Sequence, residues 1–123
     1  MYDFTYHRAA NVADAIKQVG GADDGQFLAG GHTLLPTLKL RLAQPSDLVD
    51  LQDIGDLRGI SASGDGVTVK AMTTHATVAG SADVQKAIPA LAALAGGIGD
   101  PHVRARGTIG GSIANNDPAA DYP

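Results

Sequence analysis

Gly107-Thr108-Ile109-Gly110-Gly111-Ser112-Ile113-Ala114-Asn115, followed by Asn116-Asp117-Pro118-Ala119-Ala120-Asp121, reads as a glycine-rich anion cradle. Glycine takes backbone conformations closed to other residues and, lacking a Cβ, lets a ligand come against the main chain. Thr108 and Ser112 add hydroxyls, and successive inward N–H groups would suit a phosphate or pyrophosphate. Asp117 and Asp121 lie just beyond, where a carboxylate could accept from a ribose hydroxyl. A second stretch of the same kind, Ala29-Gly30-Gly31-His32-Thr33-Leu34-Leu35, follows the apolar run Phe27-Leu28-Ala29 and leads into a helix. Unpaired N–H groups at a helix start favour an anion there. There is no G-x-G-x-x-G and no G-K-[ST], so neither the dinucleotide fingerprint nor a P-loop is present. Two cradles imply two phosphates.

Working outward, Tyr2 to Tyr6 alternates aromatic and polar residues and reads as a short strand or extended arm. Asn11 offers an N-cap to a helix over Val12 to Val19, with Gly20-Gly21 as its stop. The second helix is expected over Thr33 to Leu42, with Leu34, Leu35, Leu38 and Leu42 as its apolar stripe and Pro36 in its first turn. Asp47 to Leu51 makes a strand, which completes a β-α-β-α-β unit. From Ile54 the character changes. Ile60 to Ala62 and Val67 to Ala71 flank a hairpin turn marked by Asp65-Gly66. A short helix follows over Thr74 to Gly80, capped by Thr73 or Thr74. Another spans Asp83 to Ala95, broken at Pro89, with Leu91, Leu94 and Ala95 as its apolar side.

Composition bounds the function. The chain has 123 residues, 44% of them hydrophobic and 18% charged, the balance of an ordinary soluble domain. A net charge of −4 argues against nucleic-acid binding. With no cysteine, the chain cannot supply thiolates to an iron–sulfur cluster or to structural zinc. The four histidines lack metal-ligand spacing, so no metal site is expected. His7 and His75 read as structural or solvent-exposed, and Lys39 and Arg41 as a solvated helix face. No Ser-His-Asp or Cys-His arrangement stands out. The N-terminus shows no signal peptide, and the longest apolar stretch, Ile88 to Ile98, is too short to span a bilayer. The expected location is cytoplasmic, extending to peripheral association with the inner face of the membrane.

The pair formed by Ala29 to Pro36 and Gly99 to Asn115, together with Lys39-Leu40-Arg41-Leu42 and Asp117 to Asp121, resembles the FAD-binding medium subunit of molybdenum hydroxylases. The aerobic carbon monoxide dehydrogenase type is the nearest likeness, and xanthine dehydrogenase carries a similar FAD domain. The resemblance implies an α+β fold, a two-subdomain FAD-binding domain of the PCMH or vanillyl-alcohol-oxidase-like kind. Residues 1–55 would form the N-terminal β-α-β subdomain with the first glycine loop, and residues 56–123 the start of the second with the other loop. The FAD pyrophosphate would sit between these loops. By the same resemblance Ala29, Gly30, Gly31, His32 and Thr33 bind the cofactor in the first loop, and Thr108, Ile109, Gly110, Gly111 and Ser112 in the second. Backbone N–H groups would be the main donors, Ile98 would touch the cofactor, and Asp121 would hydrogen-bond it. Replacing Gly110 or Gly111 with Val is expected to lower flavin content by placing a Cβ where backbone meets phosphate.

The resemblance further implies an oxidoreductase subunit with no catalytic acid or base of its own. Its partners would be a large subunit holding the molybdenum cofactor and a small subunit holding 2Fe–2S clusters, assembled as a dimer of heterotrimers, a heterohexamer. Electrons would pass through FAD to a quinone or membrane-associated acceptor, to oxygen or to a nicotinamide. Thr33 stands where serine is more usual, and Asn116 where a small residue is common. Family members continue well beyond Pro123, so the sequence reads as truncated at its C-terminus. A stand-alone flavin reductase or oxidase, and a non-catalytic phosphate-binding module, are the competing readings.

Overall fold

The computed structural model describes residues 1–122; Pro123, the last position of the expected second subdomain, lies outside them. The chain packs as two compact units, one spanning Met1–Asp56 and one beginning at Leu57.

In the first unit, β1 (Thr5–Arg8), α1 (Val12–Gly20), β2 (Gly25–Leu28), α2 (Leu34–Lys39) and β3 (Asp47–Asp50) follow one another. The strands form one parallel sheet in the order β1-β3-β2. β3 is central, and Leu48 and Val49, which point to opposite faces, are both buried. That is why Asp47-Leu48-Val49-Asp50 lacks a simple in–out alternation. β1 begins three residues later than the aromatic alternation suggests, because side chains of its residues are tied to the segment around β3. Tyr6 donates to Asp50 at 2.6 Å, Arg8 pairs with Asp53, and His7 Nε2 lies 2.7 Å from an Asp47 oxygen. Asp47 also accepts from the Ser46 hydroxyl at 2.6 Å, and Ser46 Oγ in turn accepts the Asp24 N–H. Serine, aspartate and histidine thus meet here, but the serine proton is given to the carboxylate and not to the imidazole. The arrangement ties strand ends together and generates no nucleophile.

α1 starts as expected, with Asn11 Oδ1 accepting the Asp14 N–H at 2.8 Å and the Asp14 carboxylate accepting the Ala10 N–H in return. α2 is shorter than the expected Thr33 to Leu42. Only Leu38 of its stripe is fully buried, while Leu42 is 74% exposed. The helix is stopped by Arg41, which adopts φ 57°, with the Leu42 N–H donating to the Thr37 carbonyl and the Arg41 N–H to that of Leu38. These two bonds make a Schellman ending. An arginine in the left-handed region is strained, and its guanidinium lies 5.4 Å over the Tyr2 ring.

The second unit contains β4 (Ile60–Ser63) and β5 (Gly66–Val69), then α3 (His75–Gly80), α4 (Ala82–Ala87), α5 (Pro89–Gly97), α6 (Pro101–Arg106) and α7 (Ile109–Asn115). The hairpin pairs Ser63 with Gly66, so its turn residues are Gly64 and Asp65, not Asp65 and Gly66. Gly64 supplies the positive φ of 54° that such a turn needs at its first position. Pro89 opens α5 at a position where its missing N–H costs nothing. Val78, Val84, Ala92 and Ala95 form the core, with Ile60, Val67, Val69, Leu91 and Tyr122 packed against it. The buried face of α5 is therefore Leu91, Ala92 and Ala95, while Leu94 faces outward. The run leading into Gly107, for which the sequence reading names no element, is helical: Asp100 accepts the Val103 N–H at 2.9 Å and Pro101 occupies the first turn of α6.

Two outcomes follow. Asn11→Ala should cost about 1 kcal/mol of first-unit stability in denaturant titration, with Asn11→Asp close to neutral. The Asp47 carboxyl is held below its ordinary pKa by the Ser46 hydroxyl and then by His7. A depressed folded-state pKa contributes stability above the unfolded value and loses it as pH falls through the folded one. Asp47→Asn should therefore destabilise the chain at pH 7, and the difference from wild type should shrink toward zero in acid, below the ordinary carboxylate range.

Candidate functional site

The first loop runs from the end of β2 to the start of α2. Gly31 has φ 77°, and a Cβ on it would lie 2.9 Å from Leu35 Cδ1. The conformation is what favours glycine, and a Cβ would in addition make the Leu35 side chain shift. The Gly31 carbonyl accepts the Leu35 N–H at 3.0 Å, which fixes the helix start directly against the loop. Thr33 stands at the N-cap position yet makes no side-chain capping bond. Among the described residues, the N–H groups of Gly31, His32 and Thr33 donate to no protein acceptor. Exposed N–H groups in sequence beside an uncommitted hydroxyl are the donor set an anion requires. His32 is exposed, and Ala29 and Gly30 are half-buried.

The second stretch is built differently from the expected turn. Ile109 to Asn115 is helical, Thr108 is its N-cap, and Gly110 and Gly111 lie within its first turn. The N–H groups foreseen as the main phosphate donors already have partners. Ile109 donates to the Thr73 carbonyl at 3.1 Å, Gly110 to that of Ala71 at 2.8 Å, and Gly111 to Thr108 Oγ1 at 3.1 Å. The His75 N–H donates to the Gly107 carbonyl, so Thr74 and Thr108 face each other as a non-hydrogen-bonded antiparallel pair. In that geometry the Thr108 N–H is directed away from the Thr74 strand. What this stretch offers outward is that N–H and the half-buried Ser112; the Thr108 side chain is itself buried.

Glycine at 110 also has a different cause from the one expected. A Cβ there would lie 2.6 Å from both the Ala71 carbonyl oxygen and its Cβ, and 2.8 Å from its Cα. The residue is small because backbone meets backbone, before any phosphate is considered. Gly107 is similar: its Cβ would come 2.8 Å from the ring of His75, which is buried.

Ile98 follows α5 and is only 6% exposed, and its carbonyl accepts from Arg104 Nη1 at 3.1 Å, as does that of Gly99 at 3.0 Å. Arg104 thereby serves the carbonyls at the end of α5, while His102 and Arg106 remain exposed. Asn116 ends α7 with φ 49°, a conformation asparagine tolerates better than most residues, which accounts for its place before the Asp-Pro run. The Asp117 carboxylate accepts the Ala119 N–H at 2.9 Å. Asp121 is exposed, and Tyr122 beside it reaches His75. No cluster of three or more metal-ligating side chains occurs among the described residues. None of their helices is long and apolar enough to cross a membrane. The Asp100-Pro101 helix start was readable as an N-cap followed by a first-turn proline. The His75–Tyr122 pair had no local signal, being 47 positions apart.

A parallel β-α-β-α-β unit with an open glycine loop, and a Gly-Gly helix start in the second unit, are features that suit a nucleotide cofactor. The family model for the FAD binding domain in molybdopterin dehydrogenase matches residues 2–123, and the chain belongs to that family. It is 46% identical over 121 residues to the carbon monoxide dehydrogenase medium chain of Hydrogenophaga pseudoflava, covering 98% of this chain and 42% of that one. The nicotine 6-hydroxylase medium subunit of Paenarthrobacter nicotinovorans is 40% identical over 118 residues, covering 96% and 42%. The crystal structure of the Hydrogenophaga pseudoflava carbon monoxide dehydrogenase superposes with a TM-score of 0.93 at 46% identity, over 97% of this chain and 42% of its counterpart. The α+β, FAD-binding fold is thereby shown. The chain spans about two-fifths of the length of the curated relatives it matches.

The residues present fit an FAD phosphate at the first loop, where the N–H groups of Gly31 to Thr33 are uncommitted and Thr33 keeps its hydroxyl free. At the second, Gly110→Ala should destabilise the second unit by about 1–3 kcal/mol through overpacking. Gly97→Ala, which meets no neighbour within 4 Å, should be neutral or stabilising. Thermal melts of the two variants check this; equal melting temperatures would contradict the Ala71 contact as the reason for glycine at 110.

Proposed function

We propose that the full protein is the FAD-carrying medium subunit of a molybdenum-hydroxylase complex of the carbon monoxide dehydrogenase kind. It would act as an oxidoreductase component relaying electrons from 2Fe–2S clusters of a small subunit to an external acceptor. The observation that supports it most is the 46% identity to a carbon monoxide dehydrogenase medium chain, sustained over 98% of this chain. Relatives named as medium chains and subunits favour a subunit over a stand-alone flavoenzyme. A large subunit with the molybdenum cofactor, a dimer of heterotrimers and a cytoplasmic or membrane-peripheral location belong to the same proposal.

When bound, FAD supplies the redox chemistry; the chain's own residues bind and orient it. In this reading the first loop provides N–H groups of Gly31 to Thr33 and the Thr33 hydroxyl to the pyrophosphate. Ala29, Gly30 and His32 complete its wall. The second provides the Thr108 N–H and Ser112, while Ile109, Gly110 and Gly111 serve as the close-packed support of that helix start. Ile98 offers at most an edge of its side chain, and Asp121 accepts from a cofactor hydroxyl.

Thr33 separates binding from folding, since its side chain caps nothing. Thr33→Val in the full-length protein should weaken FAD binding about tenfold, the loss of one hydrogen bond to a charged group, with an unchanged apo melting temperature. An unchanged FAD dissociation constant would contradict the assignment of this loop.

A further inference from the structure

The FAD-binding reading uses the glycine loops, but it leaves a part-buried hydrogen-bonded pair near the end of the described chain without a task. Tyr122 Oη lies 2.8 Å from His75 Nδ1, and the two rings sit 5.4 Å apart, tilted at 50°. His75 is fixed from several sides. Its N–H donates to the Gly107 carbonyl, it opens α3 behind the Thr74 cap, and Gly107 is packed so closely over its ring that no Cβ fits. The Tyr122 ring packs on the Val78, Val84, Ala92 and Ala95 core. Burial, and then the charge of Asp121, push the phenol up to about 12, so it keeps its proton at physiological pH. The pair is then held by a hydrogen bond rather than by an ionised phenolate.

Between α7 and this pair lies a tight turn. The Asp117 carboxylate and carbonyl accept the Ala119 and Ala120 N–H groups, at 2.9 and 3.0 Å. Asp117 is therefore spent within the turn, while the exposed Asp121 stands next to the half-buried tyrosine. One end of the turn is set by Asn116 at the close of α7, and the other by Tyr122 on His75.

We propose that Tyr122 and His75 are positioning residues for the cofactor: their hydrogen bond latches the turn that carries Asp121 onto the start of α3 and so preorganises that carboxylate for a nucleotide hydroxyl. The inference rests on the FAD-binding reading and goes beyond it by assigning how the carboxylate is held. Preorganisation of this kind improves affinity by removing an ordering cost that binding would otherwise bear.

The test is a double-mutant cycle in the full-length protein, with FAD dissociation constants from titration of the apoprotein and apo melting temperatures measured alongside. Tyr122→Phe removes one oxygen and leaves the ring on the core; Asp121→Asn alters an exposed side chain. Each should raise the FAD dissociation constant about five- to tenfold, and the double variant should be no worse than Asp121→Asn alone, because the tyrosine acts through the aspartate. The Asp121→Asn melting temperature should match wild type. An unchanged dissociation constant in Asp121→Asn overturns the proposal whatever Tyr122→Phe does. Multiplicative losses in the double variant overturn it too, since a merely structural tyrosine would weaken binding with or without Asp121. Wild-type protein that binds no FAD would overturn this inference together with the proposed function, whereas normal wild-type binding with a silent Tyr122→Phe overturns this inference alone.

Discussion

The approach of the Gly110 backbone to Ala71 is the constraint on which the second unit depends. Two N–H groups, those of Ile109 and Gly110, are given to carbonyls of the 71–73 segment, and the His75 N–H returns the link to Gly107. These bonds join segments more than thirty residues apart and fix where α3 and α7 both begin. A side chain at 110 would hold the two backbones apart and break the pattern. The helix start therefore has its place because of main-chain packing, and any ligand it meets finds a frame already built.

Gly31 plays the matching part in the first unit by other means. Its positive φ turns the chain from the central sheet into α2, and the Leu35 and Leu28 side chains close the space a Cβ would need. The difference between the two loops matters chemically. The first leaves its N–H groups and the Thr33 hydroxyl open, whereas the second spends most of its donors on the protein. Two glycine pairs that look alike in sequence thus differ, one with its donors open and one with most of them committed to the protein.

Much of the architecture was legible in the residues themselves. Asn11 before an apolar period, Gly20-Gly21 after it, the Leu48-Val49 run and the hairpin at 60–69 all carry local chemistry that names their element. The same is true of the cap and first-turn proline at Asp100-Pro101. What was not legible depended on partners distant in sequence. Nothing local to Gly110 says that Ala71 lies against it, so a glycine pair inside a helix reads as a turn. Leu42 looks like a stripe residue until Arg41 ends α2 in a left-handed conformation. Asp117 and Asp121 look equivalent until the turn consumes one of them.

Both loops have a task only if the chain holds FAD, and the most direct measurement is the identity and stoichiometry of the cofactor released on denaturing the intact, full-length protein. One FAD per chain, seen as a flavin absorption spectrum before release and as FAD after it, is the predicted result. A folded, intact preparation that yields no flavin would contradict it and leave the open first loop as a phosphate site of another kind.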